Sequence, residues 1–219
     1  RNTKYHTLMA QLLLMQGSYE DAKKQAQEAI QLNPKNVRAV LIFGQALLGL
    51  KDYEKAVKIF ARLNEVVPNK KEIMGNYALA AIGNKDIESA KKILYQLLET
   101  DPGDTRAVSI LARLEHKDDL AGAEEFIRSQ MVKAPKNSSL YLMLGNLLAA
   151  DSRKEEALAA FEQARQINPD NLQAYLLAGK LLTQMGNKDQ ALSMYQTIIE
   201  KQPKSIPGYM GTAALLEAE

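Results

Sequence analysis

Few side chains in this sequence have the type and spacing that chemistry requires. The two histidines, His6 and His116, lack the close spacing that places two metal ligands on one face of a helix. Neighbouring carboxylates at 118–119 and 124–125 point apart on a helix, whereas an acid–base pair must converge across a cleft. Cysteines, glycine-rich phosphate loops and nucleophile elbows are absent from the sequence. We therefore expect no catalytic residue, no cofactor, no metal site and no enzyme activity.

The charge balance and hydropathy also exclude some classes of partner. The 28 basic residues nearly balance the 26 acidic ones, whereas nucleic-acid-binding proteins usually carry a large basic excess. No run of 18 or more apolar residues occurs, so the sequence predicts no membrane-spanning segment. We therefore expect neither a nucleic acid as partner nor a membrane-spanning segment in this sequence.

Proline spacing is the strongest regular feature of the sequence. Six of the seven prolines recur every 33 or 34 residues, at Pro34, Pro68, Pro102, Pro135, Pro169 and Pro203. A fixed period of this length is typical of repeat proteins, in which each unit packs on its neighbours. With each proline at position 32, residues 1–219 form a single array of six repeats and a half-repeat: 3–36, 37–70, 71–104, 105–137, 138–171, 172–205 and 206–219.

Two positions of the repeat carry small residues throughout. Position 8 is alanine or glycine in all seven units, as in Gly145, and position 20 is alanine in all six full repeats, as in Ala157. Small residues at fixed places let two helices approach closely. Apolar residues within each half follow helical spacing, as in Leu144, Leu147 and Leu148. Each unit is therefore predicted to contain two packed helices.

Polar residues near position 16 mark the break between the two helices. Ser18, Asp52, Asp86 and Asn187 are all residue types that cap a helix, and Ser18 and Asn187 each begin a predicted capping box. The proline at position 32 then ends the second helix, because it cannot donate a backbone hydrogen bond.

These positions resemble the tetratricopeptide repeat family. The best match is the fifth unit, with Tyr141, Leu144, Gly145, Ala157, Phe161, Ala164 and Pro169. The resemblance implies an all-α fold, a right-handed superhelical solenoid of antiparallel helix pairs. The fourth unit departs from the pattern: it is one residue shorter near Asp118 and places Glu115 and Gln130 where apolar groups are usual. We expect weaker packing there.

The resemblance also implies where a partner binds. In this family the first helices of successive units line a concave groove, chiefly through positions 2, 5, 9, 12 and 13. Six basic and two acidic residues occupy these positions here. Arg38 and Arg106 fall in the first turn of a predicted helix, where a positive charge opposes the macrodipole, so helix stability does not explain them. The implied partner-binding residues are Gln11, Arg38, Gln45, Arg106, Arg113, Lys117, Asn146 and Lys180.

Two functions follow from this resemblance. The first is a protein–protein interaction scaffold, whose mildly basic groove holds a segment of an acidic partner. The alternative is an accessory module of bacterial exopolysaccharide assembly, export or protein sorting, because the segments 141–161 and 206–219 are similar to lipoproteins of the PEP-CTERM system. An enzyme role would require a catalytic domain elsewhere in a longer chain. The resemblance favours the bacterial periplasm or outer membrane as location, while the cysteine-free sequence is equally compatible with the cytoplasm.

The two ends of the sequence indicate a piece of a longer protein. The chain starts at Arg1 without an initiator methionine, and the half-repeat stops before the second helix that should cover it. Tyr209, Ala213 and Leu216 are therefore expected to stay partly uncovered. We expect this C-terminal end to self-associate or to fray.

Overall fold

The computed structural model describes residues 2–217, which form helices joined by short turns. These residues contain thirteen α-helices: α1 (Thr3–Met15), α2 (Tyr19–Leu32), α3 (Val37–Gly49), α4 (Tyr53–Val66), α5 (Lys71–Gly83), α6 (Ile87–Thr100), α7 (Thr105–Glu115), α8 (Leu120–Lys133), α9 (Ser138–Ala150), α10 (Lys154–Ile167), α11 (Leu172–Gln184), α12 (Lys188–Lys201) and α13 (Ile206–Leu216). The prediction of an all-α fold built from helix pairs is confirmed.

The helices belong to two compact units that divide between Asp101 and Pro102. Unit 1 contains α1 to α6, and unit 2 contains α7 to α13. Within each unit every helix packs against the next one along the chain, and first helices also contact each other, as α1 contacts α3 and α7 contacts α9. Each predicted repeat range holds one helix pair, for example α3 and α4 within 37–70. The repeat boundaries and the single array stay predictions.

Glycine at position 8 makes room for an aromatic ring at position 24 of the same repeat. A methyl group on Gly145 would lie 2.6 Å from Cδ1 of Phe161, and one on Gly44 would lie 2.8 Å from Cζ of Phe60. Both distances are far below ordinary carbon–carbon contact. Where position 24 is aliphatic or small, position 8 is alanine instead, as in the first, third and fourth repeats. The side chain at position 24 therefore decides which small residue position 8 can hold.

A second glycine–aromatic contact joins successive repeats within unit 1. The ring of Tyr19, at the start of α2, lies against Gly49 at the end of α3, and Tyr53 lies against Gly83 in the same way. A methyl group on Gly49 would be 2.5 Å from Cε1 of Tyr19. The repeat pattern did not predict this contact, because the two partners lie in different repeats.

The helix starts agree only partly with the predicted caps. The Asp86 carboxylate accepts a hydrogen bond of 3.1 Å from the backbone N–H three residues later and caps α6. Ser18 and Asn187 make no such side-chain bond, so the two predicted capping boxes are wrong. Acidic residues in the first turns of α2 and α12, including Asp21 and Asp189, stabilise those helix ends through the macrodipole instead.

The shortened fourth repeat buries a polar side chain. Its first helix, α7, has 11 residues, whereas α9 has 13. Gln130 on α8 is 4% exposed, and its Oε1 atom accepts no hydrogen bond from the described residues. A buried acceptor without a donor costs free energy. The weaker packing expected for this repeat stays a prediction.

The last helix exposes much of its apolar surface, as the half-repeat predicts. Ile206, Tyr209, Met210 and Leu216 of α13 are all more than half exposed. Self-association through this surface stays a prediction. Within residues 2–217, no helix combines the length and the apolar character needed to cross a lipid bilayer.

Candidate functional site

The predicted groove residues of unit 1 lie on one face and bond to each other. Arg38 Nη2 donates to Gln11 Oε1 at 3.5 Å, which joins α3 to α1. Gln45 Nε2 donates to Glu72 Oε1 at 3.2 Å, which joins α3 to α5. In both pairs, position 9 of one repeat meets position 2 of the next. These polar groups are therefore already partnered within unit 1.

The predicted residues of unit 2 have no such partners. Arg106 and Arg113 are seven residues apart on α7, so they lie on the same face of that helix. Asn146 on α9 and Lys180 on α11 occupy the repeat position of Arg113 on their own helices. All four side chains are exposed, and none forms a hydrogen bond or ion pair with the residues that the structure describes. We call these four residues the basic face.

Lys117 lies apart from this helical row. The helix α7 ends at Glu115 and His116 is its C-cap, so Lys117 is in the turn that leads to α8. The prediction that Lys117 belongs to the groove assumed that the first helix of the fourth repeat has full length. Because the fourth repeat is shorter, that part of the chain has left the helix.

The helix macrodipole explains one arginine of the basic face and not the other. Arg113 lies in the last turn of α7, where a positive charge interacts favourably with the free carbonyl groups. Arg106 is the second residue of α7, where the same charge is unfavourable by about 0.3–1 kcal/mol. Arg38 occupies the same place on α3. The helix itself therefore gives no reason for a cation at Arg106.

An apolar cavity of about 400 Å³ lies between α11, the end of α12 and the start of α13 in unit 2. Leu172, Leu176 and Ile198 form its apolar wall, and Gln173 and Lys204 contribute polar groups. Leu176 is at position 5 of its repeat, one of the positions that the family resemblance assigns to the groove. The sequence did not predict the cavity, because its volume depends on where α13 packs.

The residues weighed for catalysis have structural roles. Nδ1 of His6 lies 2.9 Å from Oε1 of Gln25, which links α1 to α2. Glu124 accepts hydrogen bonds from Arg153 at 2.5 Å and Arg128 at 2.7 Å. The bonds from Arg153 and Arg128 lower the pKa of Glu124, so this carboxylate is a stable anion and not a proton donor.

No group of three or more potential metal ligands comes together within residues 2–217. The carboxylates at 118–119 do not converge on a cleft either. Asp119 caps α8 by accepting a bond of 2.9 Å from the Gly122 N–H, and Asp118 is an exposed turn residue.

Comparison with known proteins places this fold in a family. The sequence model described as tetratricopeptide repeat matches residues 13–73 and 148–215, more than half of the chain. Comparison with curated protein sequences gives no match.

Solved structures with the same architecture come from several proteins. A tetratricopeptide repeat protein from Parabacteroides merdae has a TM-score of 0.60 at 18% identity, over 98% of this chain and 84% of that one. The pilF protein of Pseudomonas aeruginosa has a TM-score of 0.59 at 18% identity, over 97% of both chains. A chain of the Naa15/Naa10 complex bound to HypK-THB has a TM-score of 0.50 at 20% identity, over 98% of this chain and 34% of that one. At these identities the likeness concerns the fold alone. The sequence model and the helix pairs together show that this chain belongs to the tetratricopeptide repeat family.

Proposed function

We propose that the protein is a binding scaffold that holds an acidic segment of a partner protein on the basic face of unit 2. The observation that carries the proposal is the set of exposed, unpartnered cations Arg106, Arg113 and Lys180 at groove positions of that unit. In unit 1 the corresponding polar groups bond to each other, so unit 2 has more donors available for a partner.

The chemistry of the face indicates what the partner segment should contain. Arginine and lysine select carboxylates, and the Asn146 side chain can both donate to and accept from an extended peptide backbone. The cavity beside Leu176 would take one apolar side chain of the same segment. The preferred ligand is therefore a peptide in which carboxylates and apolar groups alternate.

The family supports this class of function. Tetratricopeptide repeat proteins generally act as protein–protein interaction scaffolds and not as enzymes. The Naa15/Naa10 structure, which shares the fold, contains a bound protein partner. The exopolysaccharide-associated role and a bacterial envelope location stay predictions, because the comparisons above bear on fold and family.

The test is a binding measurement with two peptides of equal length. One labelled nonapeptide alternates glutamate with leucine, and the other replaces each glutamate by glutamine. We expect the glutamate peptide to bind about tenfold more tightly by fluorescence anisotropy and to lose affinity as salt rises, because the cations are exposed.

Charge reversal locates the site. Arg106→Glu combined with Arg113→Glu should weaken binding of the glutamate peptide about tenfold. The matched control is Lys133→Glu with Lys136→Glu, which changes the net charge equally at exposed positions of the same unit. Equal losses in the two double variants would mean that net charge, and not the basic face, controls binding.

A further inference from the structure

A second cavity, of about 420 Å³, lies in unit 1 between α3 and α4. Val37 and Val40 of α3 and Ile59 and Leu63 of α4 form most of its wall. Arg38 and Val40 are two residues apart on α3, so their side chains point about 200° apart around the helix axis. The cavity is therefore on a different face of α3 from the predicted groove residues. We call it the Val40 pocket.

The Val40 pocket lies beside position 4, which carries a tyrosine in the last three units. Val40 is at position 4, where the fifth unit has Tyr141 and the last unit has Tyr209. The Tyr141 hydroxyl donates to the carbonyl oxygen of Pro135 at 3.3 Å, and the Tyr209 hydroxyl bonds the corresponding Pro203 oxygen at the same distance. In these two units the phenol hydroxyl of position 4 therefore reaches the carbonyl oxygen of the preceding proline.

The second repeat has that proline but lacks the ring. Pro34 is the counterpart of Pro135, it lines the pocket, and its carbonyl oxygen accepts no hydrogen bond from the described residues. Ile59 and Leu63 replace the alanines of the fifth repeat and fill part of the space. The rest stays open as the cavity.

The fourth repeat also carries a valine at position 4. There Val108 is fully buried, and the residue at the repeat position of Ile59 is the aromatic Phe126. In the second repeat Val40 is only partly buried, and no aromatic side chain lines the cavity. The second repeat therefore has no aromatic residue at position 4 or at the repeat position of Ile59.

The rim of the pocket is positively charged. Lys35 and Arg62 line it, both are exposed, and neither forms an ion pair with the residues that the structure describes. No acidic side chain lines the pocket. An aromatic occupant with a carboxylate beside the ring would satisfy the apolar wall, the Pro34 oxygen and the two cations together.

We propose that the Val40 pocket binds a tyrosine side chain of a partner protein, in a segment where aspartate or glutamate flanks the tyrosine. The ring packs against Val40, Ile59 and Leu63, and the phenol hydroxyl donates to the Pro34 carbonyl oxygen. The flanking carboxylates pair with Lys35 and Arg62. This site is separate from the basic face of unit 2 and does not depend on it.

The experiment follows methyl signals of the full chain by NMR during titration with a blocked Asp-Tyr-Asp tripeptide. We expect shifts at the methyl groups of Val37, Val40 and Ile59, and none when alanine replaces the tyrosine of the peptide. Shifts confined to methyl groups of unit 2 would overturn the proposal while leaving the basic face in place. Free p-cresol is the third ligand. If it bound this pocket as tightly as the tripeptide, recognition of the flanking carboxylates would be refuted.

Three variants test the contacts. Val40→Tyr supplies the ring from the chain itself and should abolish the shifts. If crowding by Ile59 prevents Val40→Tyr from folding, Arg62→Glu at the exposed rim provides the test. This variant should bind the tripeptide about fivefold more weakly. The control, Lys92→Glu, makes the same charge change on α6 in unit 1 and should leave affinity unchanged. Equal effects of Arg62→Glu and Lys92→Glu would refute the role of the rim.

Discussion

Replacing Gly145 by alanine tests the contact that holds the two helices of the fifth repeat together. The new methyl group would lie 2.6 Å from Cδ1 of Phe161, about 1 Å closer than carbon atoms normally approach. Phe161 is 2% exposed, so its ring has no free space to enter. Either the ring must leave its rotamer or α9 must move away from α10.

The expected size of the effect comes from two opposing terms. Alanine is a better helix former than glycine by about 1 kcal/mol, which favours the variant. Forcing an additional methyl group into a filled core costs about 1–3 kcal/mol. We therefore expect Gly145→Ala to lower the free energy of unfolding by up to about 2 kcal/mol, although glycine-to-alanine changes in exposed helices are stabilising.

A double-mutant cycle separates the clash from other effects. Phe161→Leu alone removes ring contacts and should destabilise by about 1–2 kcal/mol. Combined with Gly145→Ala it reproduces the pair found in the third repeat, where alanine at position 8 faces Leu94. The double variant should then lose at least about 1 kcal/mol less than the sum of the single variants.

Denaturant unfolding followed by circular dichroism provides the measurement. Ala159→Gly, at an exposed position inside α10, measures the helix-propensity term without the contact. If Gly145→Ala raised stability by the amount that this control loses, no clash would exist. Strict additivity in the cycle would likewise refute the pairing of positions 8 and 24.

Two further predictions concern other parts of unit 2. Gln130→Leu should raise the free energy of unfolding by about 1–3 kcal/mol, because it removes a buried acceptor that has no donor among the described residues. A loss of stability in denaturant unfolding would contradict this prediction. Self-association through α13 predicts a mass above that of a monomer by light scattering, and Tyr209→Ser with Leu216→Ser should reduce it. If α13 frays instead, its amide hydrogens at Ile206–Leu216 should exchange with solvent faster than those of α9. A monomer in which the amides of α13 and α9 exchange equally slowly would contradict both self-association and fraying.

Local sequence patterns were enough to predict the helix pairs and their small contact residues. Prolines at a period of 33 or 34 residues and helical apolar spacing are local patterns, and each second helix ends within two residues of its proline, as α4 does at Val66 before Pro68. Positions 8 and 20 could be recognised because their small size is repeated in every unit. The family and the all-α fold followed from these patterns.

Which polar groups are free to bind depends on how the helices pack. The sequence placed Arg38 and Arg106 at the same repeat position, yet Arg38 bonds Gln11 while Arg106 has no partner among the described residues. It also placed Lys117 on a helix that ends two residues earlier. Hydrogen bonds between successive first helices depend on side-chain reach across a gap, which spacing along the chain does not encode.

The Val40 pocket shows the same limit for apolar surfaces. A valine in place of tyrosine is visible in the sequence, but the remaining volume depends on how far Ile59 and Leu63 reach into it. Val108 makes the same substitution and is fully buried. A cavity is the difference between the space that the backbone encloses and the side chains that fill it, so it exists only once the helices have packed.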